Sequence, residues 1–561
     1  MPTETRFTRK QVLKGILIAA VAPAVPGVAS AQQPEQQTSD ITLDDLKTLE
    51  KMVGIEFTDE ERGEVLRSVQ RYRDGYEAIR EMQIDNSVPP PTPFVPVGKQ
   101  PSPSRAMSCQ HRAMPDLERP ATDEDLAFMT VAELSQLIKQ RKMSPVELTE
   151  VYIKRLDAYG VKLLNVITPL PEHARKQAKQ AEKEIMAGDY RGPLHGIPYG
   201  IKDLFSVAGY STTWGSEPHV SQVFDYDAAV VEKLSEAGAI CCAKLSMGAL
   251  AMNDHWHKGR TKNPWNPSQG SSGSSAGPGS AMAAGLVAFT IGTETQGSII
   301  SPSHRCRVTG LRPTFGRVSR YGAMVLSWSM DKAGPMCRTA EDCMLVLSAI
   351  QGGDPRDTGS VDRPFHWHCD VDLSQLKIGL LSDGDALGEL DGDVEYEDYI
   401  ELLKSMGAKP EYVEFTNLPE GIMIDLSVEC AAAFDDFTLG DDIDDLKNSR
   451  WPQIFRAHRY VTAVEYMQVM RARTVVMRKF EEELGDLDVL IAPGRGSYPL
   501  LITNRTGHPQ LLVPYGEDDR GRARSVSLFG RLYDEATMCK VAWRMQQETG
   551  FYKLRPDLSG L

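Results

Sequence analysis

From about Asp123 onward the chain alternates short apolar runs with longer amphipathic ones, and no other property of the sequence limits the fold as strongly. Asp227 to Ala237 has the 3.6-residue period of a helix and is followed by Ala239 to Ala243, an apolar strand, and Lys377 to Leu381 is a second such strand. Strand–helix alternation builds a sheet with helices packed on its faces, so the pattern predicts an α/β domain with a largely parallel sheet. Two helices precede it, Thr130 to Gln140 and Ser144 to Tyr159. The second opens with Ser144-Pro145-Val146-Glu147, which puts proline at the first helical position and glutamate at the third. With 561 residues the chain can bury a large core, and no internal repeat divides it. Charged residues at 25%, apolar residues at 41% and a mean hydropathy of -0.32 exclude wholesale disorder and a polytopic membrane protein. The net charge of -15 opposes binding to nucleic acid.

The first 31 residues stand apart. Arg6, Arg9, Lys10 and Lys14 precede an apolar run from Gly15 to Val25, and Ala29-Ser30-Ala31 supplies small residues for cleavage. This predicts an export signal over 1–31 and a periplasmic or secreted protein. The run is short of the ~20 residues of a spanning helix and is broken by Pro23 and Pro26, so no stable membrane anchor is expected after its removal. Thr8 to Lys14 resembles a twin-arginine signal, with Lys10 in place of the second arginine, and leaves the export route open. Loss of residues 1–31 takes away four basic residues and one acidic residue and carries the net charge to -18.

Residues 32–122 form a second section. Leu43, Leu46, Leu49, Met52 and Val53 recur mostly at spacings of three and four, and Thr58 with Glu61 reads as the start of a second helix. A helical hairpin is expected here, leading into Pro89-Pro90-Pro91-Thr92-Pro93 and a Pro-rich strap. Residues 123–561 make up the expected main domain. The nine cysteines show no framework spacing and are expected to be mostly free thiols. His366-Trp367-His368-Cys369 has no further ligands at metal-binding spacing, and the acidic run Asp435 to Asp445 lacks the alternation of a calcium loop. Neither metal nor cofactor is predicted.

Three segments carry chemistry. Gln269 to Ser280 is a glycine–serine run that leads directly into the apolar stretch Ala281 to Thr290, an unusual place for a linker, and the Lys-Ser/Thr ending of a phosphate loop is absent. Gly292 to Pro302 holds a Gly297-Ser298 pair. Gly192 to Asp203 sets one lysine, Lys202, inside an apolar strand-like run, where lysine is rarely found without a partner or a purpose. An ion pair with Asp203 is the structural explanation for that lysine.

In chain order these segments resemble the amidase signature family of hydrolases, whose Ser-cis-Ser-Lys triad falls here on Lys202, Ser274 and Ser298, the two serines 24 residues apart. The resemblance continues through Gly310 to Ser319, Asp331, Gly334-Pro335 and the cluster Asn504, Gly507 and Pro509, and covers roughly residues 123–555. It implies an amidase-signature α/β fold with a large mixed sheet flanked by helices (α/β/α) and an N-terminal helical extension. It implies hydrolysis of a small-molecule amide through an acyl-enzyme and a cis peptide bond at Ser274. It leaves homo-oligomerisation open.

The residues suit that chemistry. Ser298 is the expected nucleophile, Ser274 the proton relay, and Lys202 the general base if burial keeps it neutral. Backbone N–H groups of Thr295, Gln296, Gly297 and Ser298 are the expected oxyanion hole. Glu294, Gln296 and Ile300 depart from the family's Asp, Gly and Arg, which predicts that a supporting ion pair was replaced as a unit, and Arg307 and Ala249 depart as well. The apolar stripe Phe455, Tyr460, Val464, Met467 and Met470 is mostly core by its period. The resemblance nevertheless implies that this region roofs the substrate channel, which makes Met467 and Met470 candidate channel residues.

The hairpin resembles the small accessory subunit of tRNA-dependent amidotransferases, held here in cis, with bracing as its expected role. Three other functions remain: a carbamate or ester hydrolase with the same triad, a glutamine-dependent amidotransferase subunit, and a non-catalytic binding module. A serine–histidine triad drawn from His195, His255, His257, His304 or His508 is disfavoured, since no G-x-S-x-G elbow accompanies them.

Overall fold

The computed structural model describes residues 41–82, 107–110, 112, 114, 116–381, 397–414, 423–447, 449–518 and 521–561. The leader and most of the Pro-rich strap lie outside these. The chain divides into two compact units.

The larger unit is built on an eleven-stranded sheet. Its strands in chain order are β1 (Val166–Pro169), β2 (Pro198–Lys202), β3 (Ile240–Leu245), β4 (Phe289–Glu294), β5 (Thr309–Arg312), β6 (Lys332–Cys337), β7 (Ile378–Leu381), β8 (Glu411–Val413), β9 (Val489–Pro493), β10 (Gln510–Glu517) and β11 (Ala523–Gly530). They lie side by side as β8-β7-β9-β11-β10-β5-β6-β4-β2-β3-β1. The sheet is mixed rather than largely parallel: β2 runs parallel to β3 and β4, and β7 parallel to β8 and β9, while the other neighbours are antiparallel. The resemblance implied a mixed sheet, but the alternation of strands and helices could not show it. Strands covered on both faces read as unbroken apolar runs whichever way their neighbours point.

The helices pack as their sequences direct. Ser144 caps Pro145–Leu163, its hydroxyl taking the Glu147 N–H while the Glu147 carboxylate takes the Ser144 N–H. Ile153, Leu156 and Leu163 of that helix pack with Ala174 and Ala178 of the helix Pro171–Ala187 and with Ile240, Cys242 and Leu245 of β3. One irregularity in the sheet matters below. Tyr199 pairs with Cys241 but Gly200 with Ala243, so Cys242 is an extra residue in β3, and beyond it Ile201 faces Lys244 and Lys202 faces Leu245.

The smaller unit joins the hairpin, α1 (Leu43–Val53) and α2 (Asp59–Glu81), to helices drawn from 423–444 and 449–483. The expected boundary between a separate hairpin section and a main domain over 123–561 is therefore not where the chain divides. The reason is a shared core: Leu46, Phe57, Val65 and Val69 pack with Ala457 and Tyr460. Beside it the buried Arg62 guanidinium forms an ion pair with Glu50 at 2.7 Å, and the Tyr460 hydroxyl donates to the same carboxylate. The stripe predicted over 451–473 is two helices, Trp451–His458 and Ala463–Leu484. Among the described residues no helix is long and apolar enough to cross a membrane.

Candidate active site

β2 ends at Lys202, which is fully buried, and the residue after it points the other way. Asp203 does not pair with Lys202. Its carboxylate lies 3.0 Å from Lys244 Nζ and accepts from the Thr213 N–H and hydroxyl at 2.8 and 2.6 Å. Lys202 Nζ instead meets the hydroxyls of Ser274 at 2.8 Å, Thr293 at 2.9 Å and Ser275 at 3.1 Å, with the Thr293 carbonyl at 3.4 Å. Burial among neutral groups pushes the ammonium down to about 7, against the upward pull of the Asp331 and Glu294 charges.

The glycine–serine run supplies the loop above Lys202. The Gly273–Ser274 peptide is cis, and a Cβ at Gly273 would sit 1.7 Å from the Asn253 carbonyl oxygen, so only glycine fits there. Ser275 ties this loop to the Ser298 turn. Its N–H donates to the Ser298 carbonyl at 3.0 Å, and its hydroxyl donates to the Thr293 carbonyl and accepts from the Thr293 N–H. The three segments singled out in the sequence thus meet in one place. Ser275 and Thr293 were not among the expected site residues, because nothing in the sequence separates one serine or threonine of such runs from the next.

The turn carrying Ser298 leaves β4 after Glu294 and enters the helix Ile300–Cys306, with Gly297 at φ +98°. Both of its ends are held by buried carboxylates. Glu294 accepts from the Ile299 and Ile300 N–H groups at 2.9 and 3.0 Å, from Asn504 Nδ2 at 2.9 Å, and from Arg312 Nη1 at 3.0 Å. Burial raises the Glu294 carboxyl, but the Arg312 charge and these donors outweigh it and leave it below the usual range. Where a supporting ion pair was expected to have been replaced as a unit, Glu294 is paired with a buried cation, Arg312 of β5. Asp331 holds the other end: it accepts from the Thr295 hydroxyl at 2.6 Å and from the Leu326 and Ser327 N–H groups at 2.8 and 2.9 Å. Of the expected oxyanion residues, Thr295 is fixed in this way, and Gln296 Oε1 lies 3.4 Å from Arg505 Nη2.

The other candidates fall elsewhere. His304 Nδ1 bonds to Ser525 at 2.6 Å, His508 Nδ1 to Thr506 at 2.8 Å, and His195 Nδ1 to the Arg191 N–H at 3.1 Å. His366 Nδ1 bonds to Ser108 and His368 Nε2 to Lys540. Met467 and Met470 belong to the smaller unit. Met470 is 1% exposed and Met467 is 44% exposed.

A mixed sheet flanked by helices, with a buried lysine ending β2 and facing the serines of the glycine–serine loop, is the frame of an amide-hydrolysing enzyme. Residues 147–519 match the Amidase family model. The chain belongs to the amidase signature family. It is 30% identical over 486 residues to a glutamyl-tRNA(Gln) amidotransferase subunit from Carboxydothermus hydrogenoformans, spanning 77% of this chain and 100% of the relative. With the corresponding subunit from Methylococcus capsulatus it shares 32% identity over 479 residues, 76% of this chain and 98% of the relative. The solved peptide amidase of Stenotrophomonas maltophilia superposes with a TM-score of 0.68 at 27% identity, covering 77% of this chain and 98% of the other.

Proposed function

We propose that this enzyme cleaves small-molecule amides with Ser298 as nucleophile, Ser274 as relay and Lys202 as base, and that it works outside the cytoplasm. One observation carries the reading: Lys202 Nζ is buried, is driven toward neutrality, and faces the Ser274 hydroxyl at 2.8 Å rather than a carboxylate.

Neutral Lys202 takes the Ser274 proton as Ser274 takes that of Ser298, and Ser298 Oγ bonds to the carbonyl carbon. The carbonyl electron pair moves onto oxygen, where the backbone N–H groups of residues 295–298 hold it. On collapse the C–N bond breaks and the nitrogen leaves with the proton returned through Ser274. Water then repeats the sequence on the acyl ester and releases the acid.

The basic, apolar and small-residue pattern of residues 1–31 supports export. Carbamates and esters present the same carbonyl to Ser298 and belong in the substrate panel. A second reading is supported by the curated relatives, which are amidotransferase subunits: the same site would release ammonia from glutamine. The net charge of -15 weighs against a tRNA-bound partner. A serine-directed phosphonyl fluoride should label Ser298, and a panel of aryl amides, peptide amides, carbamates, esters and glutamine should rank the bonds. Failure to label Ser298 together with no turnover across the panel would refute the proposal.

The pH profile tests the base. Lys202 is protonated below about 7 and neutral above it, so kcat/KM should climb roughly tenfold per pH unit below about 7 and then level off into the alkaline range. Histidine titrates in the same window, so the midpoint alone does not separate the two bases. His304→Asn and His508→Asn should keep the profile and Lys202→Met should remove the activity; the reverse pattern would exclude Lys202.

A further inference from the structure

We infer that Trp328 is a specificity-determining residue of this site, a platform on its rim for the aromatic ring of an aryl-bearing amide. The inference rests on the site proposed above and adds the substrate class. From Tyr321 to Met330, Trp328 is the one residue that is exposed, at 50%; its neighbours Leu326, Ser327, Ser329 and Met330 are buried. A large indole left in water on an otherwise buried segment is more informative than an exposed aliphatic residue, because it offers a flat apolar face.

Its segment is fastened to both halves of the reacting machinery. On the Lys202 side, Phe205 bridges Ala323, the Met324 N–H donates to the Leu204 carbonyl at 3.0 Å, and the Ser206 N–H donates to Gly322 at 2.9 Å. On the Ser298 side, Asp331 accepts from the Ser327 N–H and from the Thr295 hydroxyl, so one carboxylate separates the residue before Trp328 from the oxyanion turn. The Trp328 carbonyl itself accepts from Arg320 Nη1 at 2.5 Å, and Arg320 is fixed in turn by a two-pronged pair with Asp357. The exposed indole is therefore presented by a braced loop. A second aromatic, Tyr226, is 38% exposed and 5.5 Å from the ring of Tyr321, the residue that opens this segment. A braced, exposed aromatic close in sequence to a carboxylate that orders the oxyanion turn is placed to select substrates by stacking.

The test compares full-length wild type with Trp328→Ala and Trp328→Phe on phenylacetamide, acetanilide, acetamide and propionamide. The ratio of kcat/KM for the two aryl amides to that for the two aliphatic ones should fall tenfold or more in Trp328→Ala, carried mainly by KM, and Trp328→Phe should restore most of it. An unchanged ratio, or an equal loss on all four amides, would overturn the inference. Phosphonyl fluoride labelling of Ser298, run on the same preparations, keeps the two questions apart: wild type that labels and turns over while the ratio stays fixed rejects the role of Trp328 alone. As a binding readout, aryl amide added to Ser298→Ala should change its tryptophan emission, and the change should be absent in Ser298→Ala/Trp328→Phe. If it persists in the double variant, Trp328 is not the platform.

Discussion

Replacing Ser298 with alanine is expected to lower kcat by about 10⁴-fold or more, because no other hydroxyl lies on the turn between β4 and the helix Ile300–Cys306 in a position to take over the attack. Lys202→Ala and Ser274→Ala should each cost about 10²- to 10⁴-fold. The losses should not multiply. Lys202 acts on Ser298 through Ser274, so once one member is gone the others have nothing to pass a proton to, and the double variants should resemble the worse single variant. Steady-state kcat on one good amide, with titration by the phosphonyl fluoride, measures all of this. A Ser298→Ala enzyme at wild-type rate would end the assignment. Strictly multiplicative losses would show that the three do not act as a unit.

The second large effect concerns stability. Arg312 and Glu294 are both fully buried and 3.0 Å apart, and Arg312 also donates to Thr503 Oγ1 at 2.7 Å and to the His508 carbonyl at 2.8 Å. Arg312→Met keeps the bulk but leaves a carboxylate in the interior without its cation, a change that typically costs about 3–5 kcal/mol. The sign of the pH dependence follows. With the Arg312 charge present the Glu294 carboxyl is held down, so the stability it contributes is present above the ordinary carboxylate range and is lost only as the pH falls through the lowered value. Without Arg312 the push of burial is opposed only by the Ile299, Ile300 and Asn504 donors and the Lys332 charge, and the carboxyl moves up. The variant should then lose stability as the pH rises past the ordinary carboxylate range. Urea unfolding at pH 5 and pH 8 should show the larger deficit at pH 8, and Glu294→Gln placed on Arg312→Met should recover part of it. A deficit independent of pH, with no recovery, would mean that the pair is not what holds this region.

How much of this was legible in the sequence differs from feature to feature. The segments around Lys202, Ser274 and Ser298 stood out because glycine-rich turns and a lone lysine are conspicuous in an apolar context. The choice between Asp203 and the serines as partner of Lys202 was not readable. It depends on which face of the sheet each side chain takes, and β2 and β3 are buried along their whole length, so no alternation of polar and apolar residues reports the faces. The ion pair at Glu294 was hidden for another reason: its cation comes from a strand eighteen residues away rather than from the turn itself. The hairpin was visible from its period and its Thr58/Glu61 start, and Glu61 does return its carboxylate to the Thr58 N–H at 2.6 Å. Its companions in the smaller unit, some 400 residues distant, follow from the shared core of Leu46, Phe57 and Tyr460, which no local pattern encodes. The stripe at Met467 and Met470 showed the usual weakness of period alone: it marks an apolar face without saying what covers it.

The extra residue in β3 gives the site a property of arithmetic. Counting on from Tyr199, a β3 that kept every residue but ran without the bulge would set Lys244 beside Lys202 instead of beside Ile201. Two ammonium groups would then share one face of the sheet, and Asp203 would be stranded on the other. As the chain stands, one lysine is paired with its carboxylate while its neighbour across the strand pair is released toward neutrality. The division between a paired lysine and the proposed base therefore depends on the register of a strand as well as on the kinds of its residues. Substitution at Cys242 leaves that register intact, and its deletion would close the bulge with Ala243 to Leu245 still opposite Gly200 to Lys202, whereas a slip of one position shifts the parity of everything up to Leu245. Tolerance of side-chain change at the bulge beside intolerance of a slipped register beyond it is the mark such a site should leave on its descendants.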